Sequence, residues 1–193
     1  MLKKTIFDTL LFGLLFCTGC QKQTLSMQTL QMIETTQPSD ATPQLNAFQQ
    51  AILDKHNQLR SNHFTDAPLS YSLELEDVAQ NHANELAQMG TLDHDSNNKI
   101  YGYGENLYAF SRNAKPNLPT IIQKWYNEGI YYNYETQQCQ KFKSCGHYTQ
   151  IIWKTTKRIG CANAQYQKGK FKNGYITVCK YYPFGNIVEQ DPY

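Results

Sequence analysis

Two histidines and two glutamates on separate segments carry the most suggestive chemistry in this chain: His94, Glu105, Glu128 and His147. His147 directly precedes the largely apolar run 148–153, so a titratable ring lies beside residues that must be buried. A fold that brings two imidazoles and two carboxylates into one cleft can bind a divalent cation or move protons. Catalytic zinc usually has three protein ligands, whereas two histidines make a weak, open site. The residues therefore predict a cleft that takes up a divalent cation weakly or exchangeably, or that moves protons.

Helical periodicity places Glu128 and His147 near the ends of predicted helices. Amphipathic patterns predict helices over about 48–60, 72–90 and 117–125, the second starting at an N-cap serine and ending at a glycine. Glu128 follows the third helix. The apolar spacing after His147 fits a short helix, although a strand is an alternative from the run alone.

The three remaining histidines have simpler interpretations. His56 is expected to form hydrogen bonds at a helix end, where it helps Asn57 and Arg60 to orient nearby loops. His63 and His82 are expected at the surface or at its boundary.

The last third of the chain is predicted to form β-strands. Runs at 159–162 and 175–179 are rich in β-branched residues and cysteine and are separated by turn residues, and 103–108 can supply another strand. Helices before and between strands of an antiparallel sheet predict an α+β fold, a three-layer α-β-α sandwich around a central antiparallel sheet.

The amino terminus is predicted to be a targeting segment. Lys3 and Lys4 precede an apolar run that is too short to span a bilayer as a stable helix. Cys20 follows a small residue at the end of this run, which resembles a bacterial lipoprotein cleavage site. Residues 1–20 are therefore expected to act as the signal segment and Cys20 to be lipidated, with simple secretion or an uncleaved anchor as alternatives. Residues 21–46, rich in Gln, Thr, Ser and Pro, are expected to form a flexible tether.

Four cysteines remain if Cys17 leaves with the signal and Cys20 carries lipid: Cys139, Cys145, Cys161 and Cys179. An even number suits two disulfides in an oxidising compartment, and the sequence alone allows three pairings. A zinc knuckle is the alternative, but the spacings are not those of paired CxxC motifs.

Several landmarks together resemble one family. The run 146–153, the turn 104–106, the motif His56-Asn57-x-x-Arg60 and the segment 179–186 look like the CAP superfamily of cysteine-rich secretory proteins, antigen 5 and pathogenesis-related proteins. The landmarks fall in the expected order, and the likeness extends over a CAP (SCP) domain at 47–193. The plant pathogenesis-related branch is the most similar, because the chain stops shortly after Gly185-Asn186.

The resemblance implies a fold, a disulfide pairing and a set of cleft residues. It implies the α-β-α sandwich and disulfides Cys139–Cys145 and Cys161–Cys179. Position by position, the cavity residues of the family fall on the tetrad His94, Glu105, Glu128 and His147. In that family the two histidines can take up zinc, and the glutamates bridge through water or fix the ring tautomers.

The resemblance also implies lipid binding as a second candidate function, because sterol-binding members of the family use an aromatic loop in the corresponding region. Five apolar or aromatic residues around Glu128 are the candidates: Trp125, Tyr126, Ile130, Tyr131 and Tyr132. A structural role for these rings is the simpler alternative. Lys180 departs from the family pattern, since a small or amide-bearing polar residue is common there.

The length, composition and net charge of the chain limit the number of domains and the class of partner. With 193 residues, of which 40% are apolar, the chain can bury one core. The formal charge of +2 falls to +1 once the signal is removed, so nucleic acid is not an expected partner.

We therefore expect an extracytoplasmic protein, secreted or anchored as a cell-envelope lipoprotein, that binds a hydrophobic small molecule, a peptide or an envelope component. One alternative is a zinc-assisted peptidase or related hydrolase with Glu105 or Glu128 as general base. Another is a disulfide-stabilised interaction module with a structural tetrad.

Overall fold

A computed structural model describes residues 44–193 of the chain. The predicted signal, the lipidation of Cys20 and nearly all of the predicted tether fall outside these residues. None of the helices between residues 44 and 193 is long and apolar enough to cross a membrane.

The three predicted long helices are present. Helix α1 spans Ala47–Arg60 and begins with a capping box between Asn46 and Gln49. Strand β1 (Ser70–Tyr71) leads into α2 (Leu73–Met89), which is capped by Ser72 and ended by Gly90 in the left-handed conformation. The boundaries of α2 agree with the N-cap serine and the terminal glycine read from the sequence.

Three tetrad residues lie on the shorter elements that follow, and His94 lies in the loop between α2 and the next helix. Helix α3 (Asn98–Tyr101) precedes β2 (Gly104–Phe110), and α4 (Leu118–Tyr126) continues into a 3-10 helix, Asn127–Tyr131. A small ribbon of β3 (Tyr132–Asn133) and β4 (Gln138–Cys139) leads to α5 (Gly146–Ile151). The short run after His147 is therefore a helix.

The sheet has the strand order β1-β5-β6-β2, with β5 at Arg158–Gln165 and β6 at Tyr175–Tyr182. Strands β5, β6 and β2 are antiparallel, whereas β1 pairs with β5 in parallel through two residues. The sheet is therefore mixed. A two-residue strand is too short to show the alternating pattern from which a strand is predicted.

Helices cover both faces of this sheet, which confirms the α-β-α sandwich. On one face α2 packs against alternate strand residues such as Leu107, Ala162 and Val178. On the other face α1, α4 and α5 pack against Ile159 and Tyr181, among others. Gly160 lies under α2, where an added Cβ would come within 2.2 Å of the Glu76 backbone nitrogen. Glycine thus permits the close contact between α2 and β5.

Two disulfides have the pairing that the resemblance implies. Cys161–Cys179 joins β5 to β6, and Cys139–Cys145 closes the loop before α5. Each disulfide therefore lies in or next to an element that carries part of the site.

Candidate functional site

The first histidine–glutamate pair lies at the start of edge strand β2. His94 Nδ1 is 2.6 Å from Glu105 Oε1, and the Asp95 backbone N–H donates to the same oxygen at 3.2 Å. The side chain of Glu105 is 1% exposed, whereas that of His94 is 65% exposed. A buried carboxylate thus orients a ring that reaches solvent.

Lys180 completes the surroundings of Glu105. Lys180 is paired with Glu105 across β2 and β6, and its Nζ lies 2.8 Å from Glu105 Oε2. The same ammonium donates to Asp95 Oδ2 at 2.9 Å and to Asn98 Oδ1 at 2.5 Å, and it is fully buried. A lysine is rarely buried unless it is paired. Its three oxygen partners explain how this one is accommodated.

These contacts change the ionisation of the pair. Burial opposes the charge of Glu105, but the His94 hydrogen bond and the Lys180 ammonium outweigh it and hold the pKa below its usual range. The hydrogen bond to Glu105 raises the pKa of His94 above its usual value. Glu105 is therefore an anion in the folded protein.

The second pair joins α5 to the 3-10 helix. His147 Nδ1 is 2.6 Å from Glu128 Oε1, and the His147 backbone N–H donates to Glu128 Oε2 at 3.1 Å. Both side chains are partly exposed, at 28% for His147 and 21% for Glu128. Trp125 stacks on the His147 ring with the centroids 5.6 Å apart. Backbone and aromatic contacts, rather than a buried cation, hold this pair.

Strand β2 contacts both pairs. Glu105 and Leu107 belong to the side of the strand that faces α2, whereas Asn106 and Tyr108 belong to the opposite side. Asn106 Nδ2 donates to the backbone carbonyl of His147 at 3.1 Å. Consecutive residues of one edge strand therefore contact the two halves of the tetrad.

The ring nitrogens are arranged as metal-ligating histidines commonly are. When Nδ1–H donates to a carboxylate, the Nε2 lone pair of a neutral ring is available as a ligand. Within the described part of the chain, neither His94 Nε2 nor His147 Nε2 has a hydrogen-bond partner. No group of three or more His, Cys, Asp or Glu side chains in residues 44–193 is arranged to hold a metal. His94 and His147 each therefore offer one ring nitrogen that a metal could bind.

A family model described as "CAP: Cysteine-rich secretory protein family" matches residues 53–181. The chain belongs to the CAP family. Pathogenesis-related protein 1C of Nicotiana tabacum is 36% identical over 145 residues, which cover 75% of this chain and 80% of that protein. The secretory description of the family agrees with a location outside the cytoplasm.

Two solved structures are similar to this CAP domain. Schistosoma mansoni venom allergen-like protein 4 has a TM-score of 0.60 at 24% identity, covering 77% of this chain and 95% of that chain. A crystal structure of NaASP2 with Zn²⁺ has a TM-score of 0.56 at 26% identity, covering 75% of this chain and 84% of that chain.

A chain of buried polar groups lies next to the second pair, and sequence reasoning missed it. His56 Nδ1 donates to the Ile52 carbonyl at 2.9 Å, its Nε2 accepts from the Tyr181 hydroxyl at 2.9 Å, and Asn106 donates to that hydroxyl at 3.2 Å. His56 is therefore a buried residue within α1, not at a helix end as predicted. Burial is the main cause that lowers the pKa of His56 to about 4.

The other polar residues of α1 do orient loops. Arg60 donates to the carbonyls of Ala67, Ile151 and Trp153 at 2.7–2.9 Å. Asn57 exchanges two hydrogen bonds with the Leu69 backbone, at 2.8 and 3.0 Å. These two residues fix the segment between α1 and β1.

The expected position of His82 at the surface or at its boundary is wrong. Its side chain is buried on α2, with Nε2 3.0 Å from the Asp93 carbonyl and 3.6 Å from Glu105 Oε2. His82 also borders a cavity of about 170 Å³ that His94 and Asp95 help to line. Its helical register with Ala79 and Ala83 was the signal available in the sequence.

The five lipid-binding candidates have different surroundings. Trp125 is buried beneath His147, and half-buried Tyr126 contacts His63 Nε2 through its hydroxyl at 2.8 Å. Tyr132 packs on Tyr148, and Lys143 lies over the ring of Tyr131. Ile130 alone among the five is largely exposed, at 77%. Their role in lipid binding stays a prediction.

Proposed function

We propose that this CAP domain is an extracytoplasmic binding protein whose cleft takes up a divalent cation, Zn²⁺ first, through His94 Nε2 and His147 Nε2. The observation that carries the proposal is the matched 2.6 Å contact between Nδ1 of each ring and a glutamate. Such a carboxylate fixes the tautomer and raises the basicity of the nitrogen that binds metal. The crystal structure of the similar NaASP2 with Zn²⁺ supports the choice of metal.

Two protein ligands leave most of the coordination sphere of zinc to water or to a ligand. A bound zinc ion would supply a Lewis acid for an oxygen or nitrogen donor of that ligand. The protein contributes two oriented imidazoles and two carboxylates that hold them. A peptide, an envelope component or a hydrophobic molecule with a polar head group fits this donor requirement, and lipidation of Cys20 would hold the domain at a membrane.

Binding is favoured over hydrolysis by the contacts of the glutamates. Glu105 contacts His94 with one oxygen and Lys180 with the other. Glu128 accepts from the ring and from the backbone of His147. A general base must reach the water whose proton it removes. Here both carboxylates are engaged in holding other groups.

Zinc titration calorimetry of the purified, disulfide-intact chain tests the proposal. We expect micromolar binding in the wild type and its loss in a His94→Ala/His147→Ala variant that circular dichroism shows to be folded. His63→Ala removes an imidazole outside the tetrad and should leave the binding heat unchanged. Absence of heat in the folded wild type would contradict the metal site and favour an interaction module with a structural tetrad.

A further inference from the structure

A second cleft opens at the far end of strand β2, between the strand end, the segment 111–117 and α4. We propose that this cleft binds a small organic anion with a flat apolar body, an aromatic carboxylate or phosphate. Its volume is about 570 Å³, within the range of roughly 300–1,000 Å³ that is typical of small-molecule sites. The inference goes beyond the proposed function and does not depend on bound zinc.

The wall of the cleft is aromatic and fixed in place. Tyr108 and Phe110 lie on the same side of β2, with ring centroids 6.0 Å apart, and both are half-buried. Phe110 is also stacked on Tyr175 of the neighbouring strand β6, at 6.1 Å. Ile121 of α4 lines the cleft as well and is 4% exposed. A flat apolar ligand can therefore stack against surface that is already ordered.

The rim of the cleft is cationic. Arg112, Lys115 and Lys124 line it and are exposed, and no acidic residue is among the described side chains that line it. Within residues 44–193, none of these three cations forms an ion pair with a carboxylate. An anionic head group would thus gain charge partners without displacing any from the protein.

Lys124 joins the cationic rim to the aromatic wall. Its Nζ donates to the Tyr108 hydroxyl at 2.7 Å and lies 5.0 Å from the centroid of the same ring. The ammonium is thereby held at the border between apolar surface and solvent. A ligand that stacks on the wall would place its anionic group beside this ammonium, which is the reason to expect one molecule that carries both features.

Charge separates this cleft from the tetrad. The cavity beside the first pair includes Glu85, Asp93 and Asp95, which would repel an anion. Glu105 and Tyr108 are three residues apart on β2, about 10 Å, and lie on opposite sides of the strand. The two cavities share no side chain. One strand therefore carries a cation-binding region near its start and an anion-binding region at its end.

Fluorescence titration of the purified, disulfide-intact chain tests the inference. The probe is 8-anilino-1-naphthalenesulfonate, an aromatic anion whose emission rises in apolar surroundings, and EDTA removes free metal ions. We expect saturable binding, and displacement of the probe by 1-naphthoate and 1-naphthyl phosphate at concentrations at least about fivefold lower than by neutral 1-naphthol. The more effective anion identifies carboxylate or phosphate as the preferred head group. Equal displacement by 1-naphthol would overturn the inference, because the charge would then play no part.

A pair of variants locates the bound anion. Arg112→Gln/Lys124→Gln should weaken the binding of 1-naphthoate at least about fivefold and leave that of 1-naphthol unchanged. Lys141→Gln/Lys143→Gln is the matched control, because these two exposed lysines also lie over aromatic rings but at another surface. It should bind 1-naphthoate as the wild type does. Equal effects of the two double variants, both shown to be folded by circular dichroism, would overturn the inference.

Filling the cleft provides a second test. Ala114 lines it from an exposed segment, so Ala114→Trp adds bulk without disturbing the core. This variant should lose the binding of the anions and of 1-naphthol alike, and wild-type affinity would count against the site. Absence of saturable probe binding in the wild type would overturn the inference and leave the zinc proposal untouched. Anion binding by a chain that takes up no zinc would support the inference while contradicting that proposal.

Discussion

The two halves of the tetrad share one contact distance but are held in opposite ways. In the first, the carboxylate of Glu105 is buried and fixed by Lys180, and the His94 ring is exposed. In the second, His147 and Glu128 are both partly exposed, and the ring is stacked on Trp125. The contact from Nδ1 to Oε1 is 2.6 Å in each.

Equal hydrogen-bond lengths in the two pairs therefore do not imply equal energetic roles. The charges around Glu105 have left water and depend on one another, because a buried charge without its partner is costly. The Glu128 pair can recover hydration when a partner is lost. We therefore expect the Glu105 half to govern stability and the Glu128 half to govern metal affinity with little effect on folding.

The largest expected effect comes from breaking the buried half. Lys180→Met should lower the free energy of unfolding by about 3–5 kcal/mol, because Glu105 and Asp95 lose their shared cation. Urea denaturation followed by circular dichroism measures this. Lys180→Arg is the matched control and should lose less. A loss below about 1 kcal/mol in Lys180→Met would mean that the buried cation contributes little to the fold.

A third histidine extends the comparison, because the ring of His56 is buried without a carboxylate partner. Burial lowers its pKa to about 4, against 6.5 for an unperturbed ring. The unfolded chain therefore binds one more proton between these values, and stability decreases as the pH falls from about 6.5 to 4. The expected loss is about 3 kcal/mol, measured by urea denaturation across that range.

His56→Gln is the variant that isolates this contribution. Glutamine can also donate and accept hydrogen bonds in the place between the Ile52 carbonyl and the Tyr181 hydroxyl, but it does not titrate. The variant should be less stable at neutral pH and should show a flatter pH dependence. An unchanged slope between pH 6.5 and 4 would assign the acid sensitivity to other groups.

The sequence was sufficient for the parts of this molecule that have local signals. Ser72 and Gly90 predicted both ends of α2, and the resemblance implied the disulfide pairing that the structure contains. The parallel pairing of β1 with β5 was not predictable, because it involves two residues and is determined by packing.

The same limit applies to the site. The four tetrad residues were chosen from their types and from the resemblance, and the structure arranges them as two pairs. Lys180 was recognised only as a departure from the family pattern. Its role depends on Asp95, Asn98 and Glu105, which are 75 or more positions away in the chain. No local sequence pattern therefore indicates that Lys180 is buried and paired. His82 was misplaced for a different reason, because its helical register with the buried Ala79 and Ala83 was available in the sequence and was not used.

The smallest expected effect on stability comes from Glu128→Gln, and it separates the two halves most directly. Glutamine has nearly the same shape and can still accept from the His147 backbone N–H or ring through one oxygen, so we expect a loss below about 1 kcal/mol. Zinc affinity should nevertheless fall by about 10- to 100-fold, because the ring loses the carboxylate that orients it and raises its basicity. Calorimetry and urea denaturation on the same preparation measure both quantities.

Glu105→Gln is the matched variant in the other half, and its larger loss of stability is expected because Lys180 loses a charged partner. If Glu128→Gln and Glu105→Gln destabilised the protein equally, the two pairs would be held alike, and the contrast between a buried and an open half would not stand.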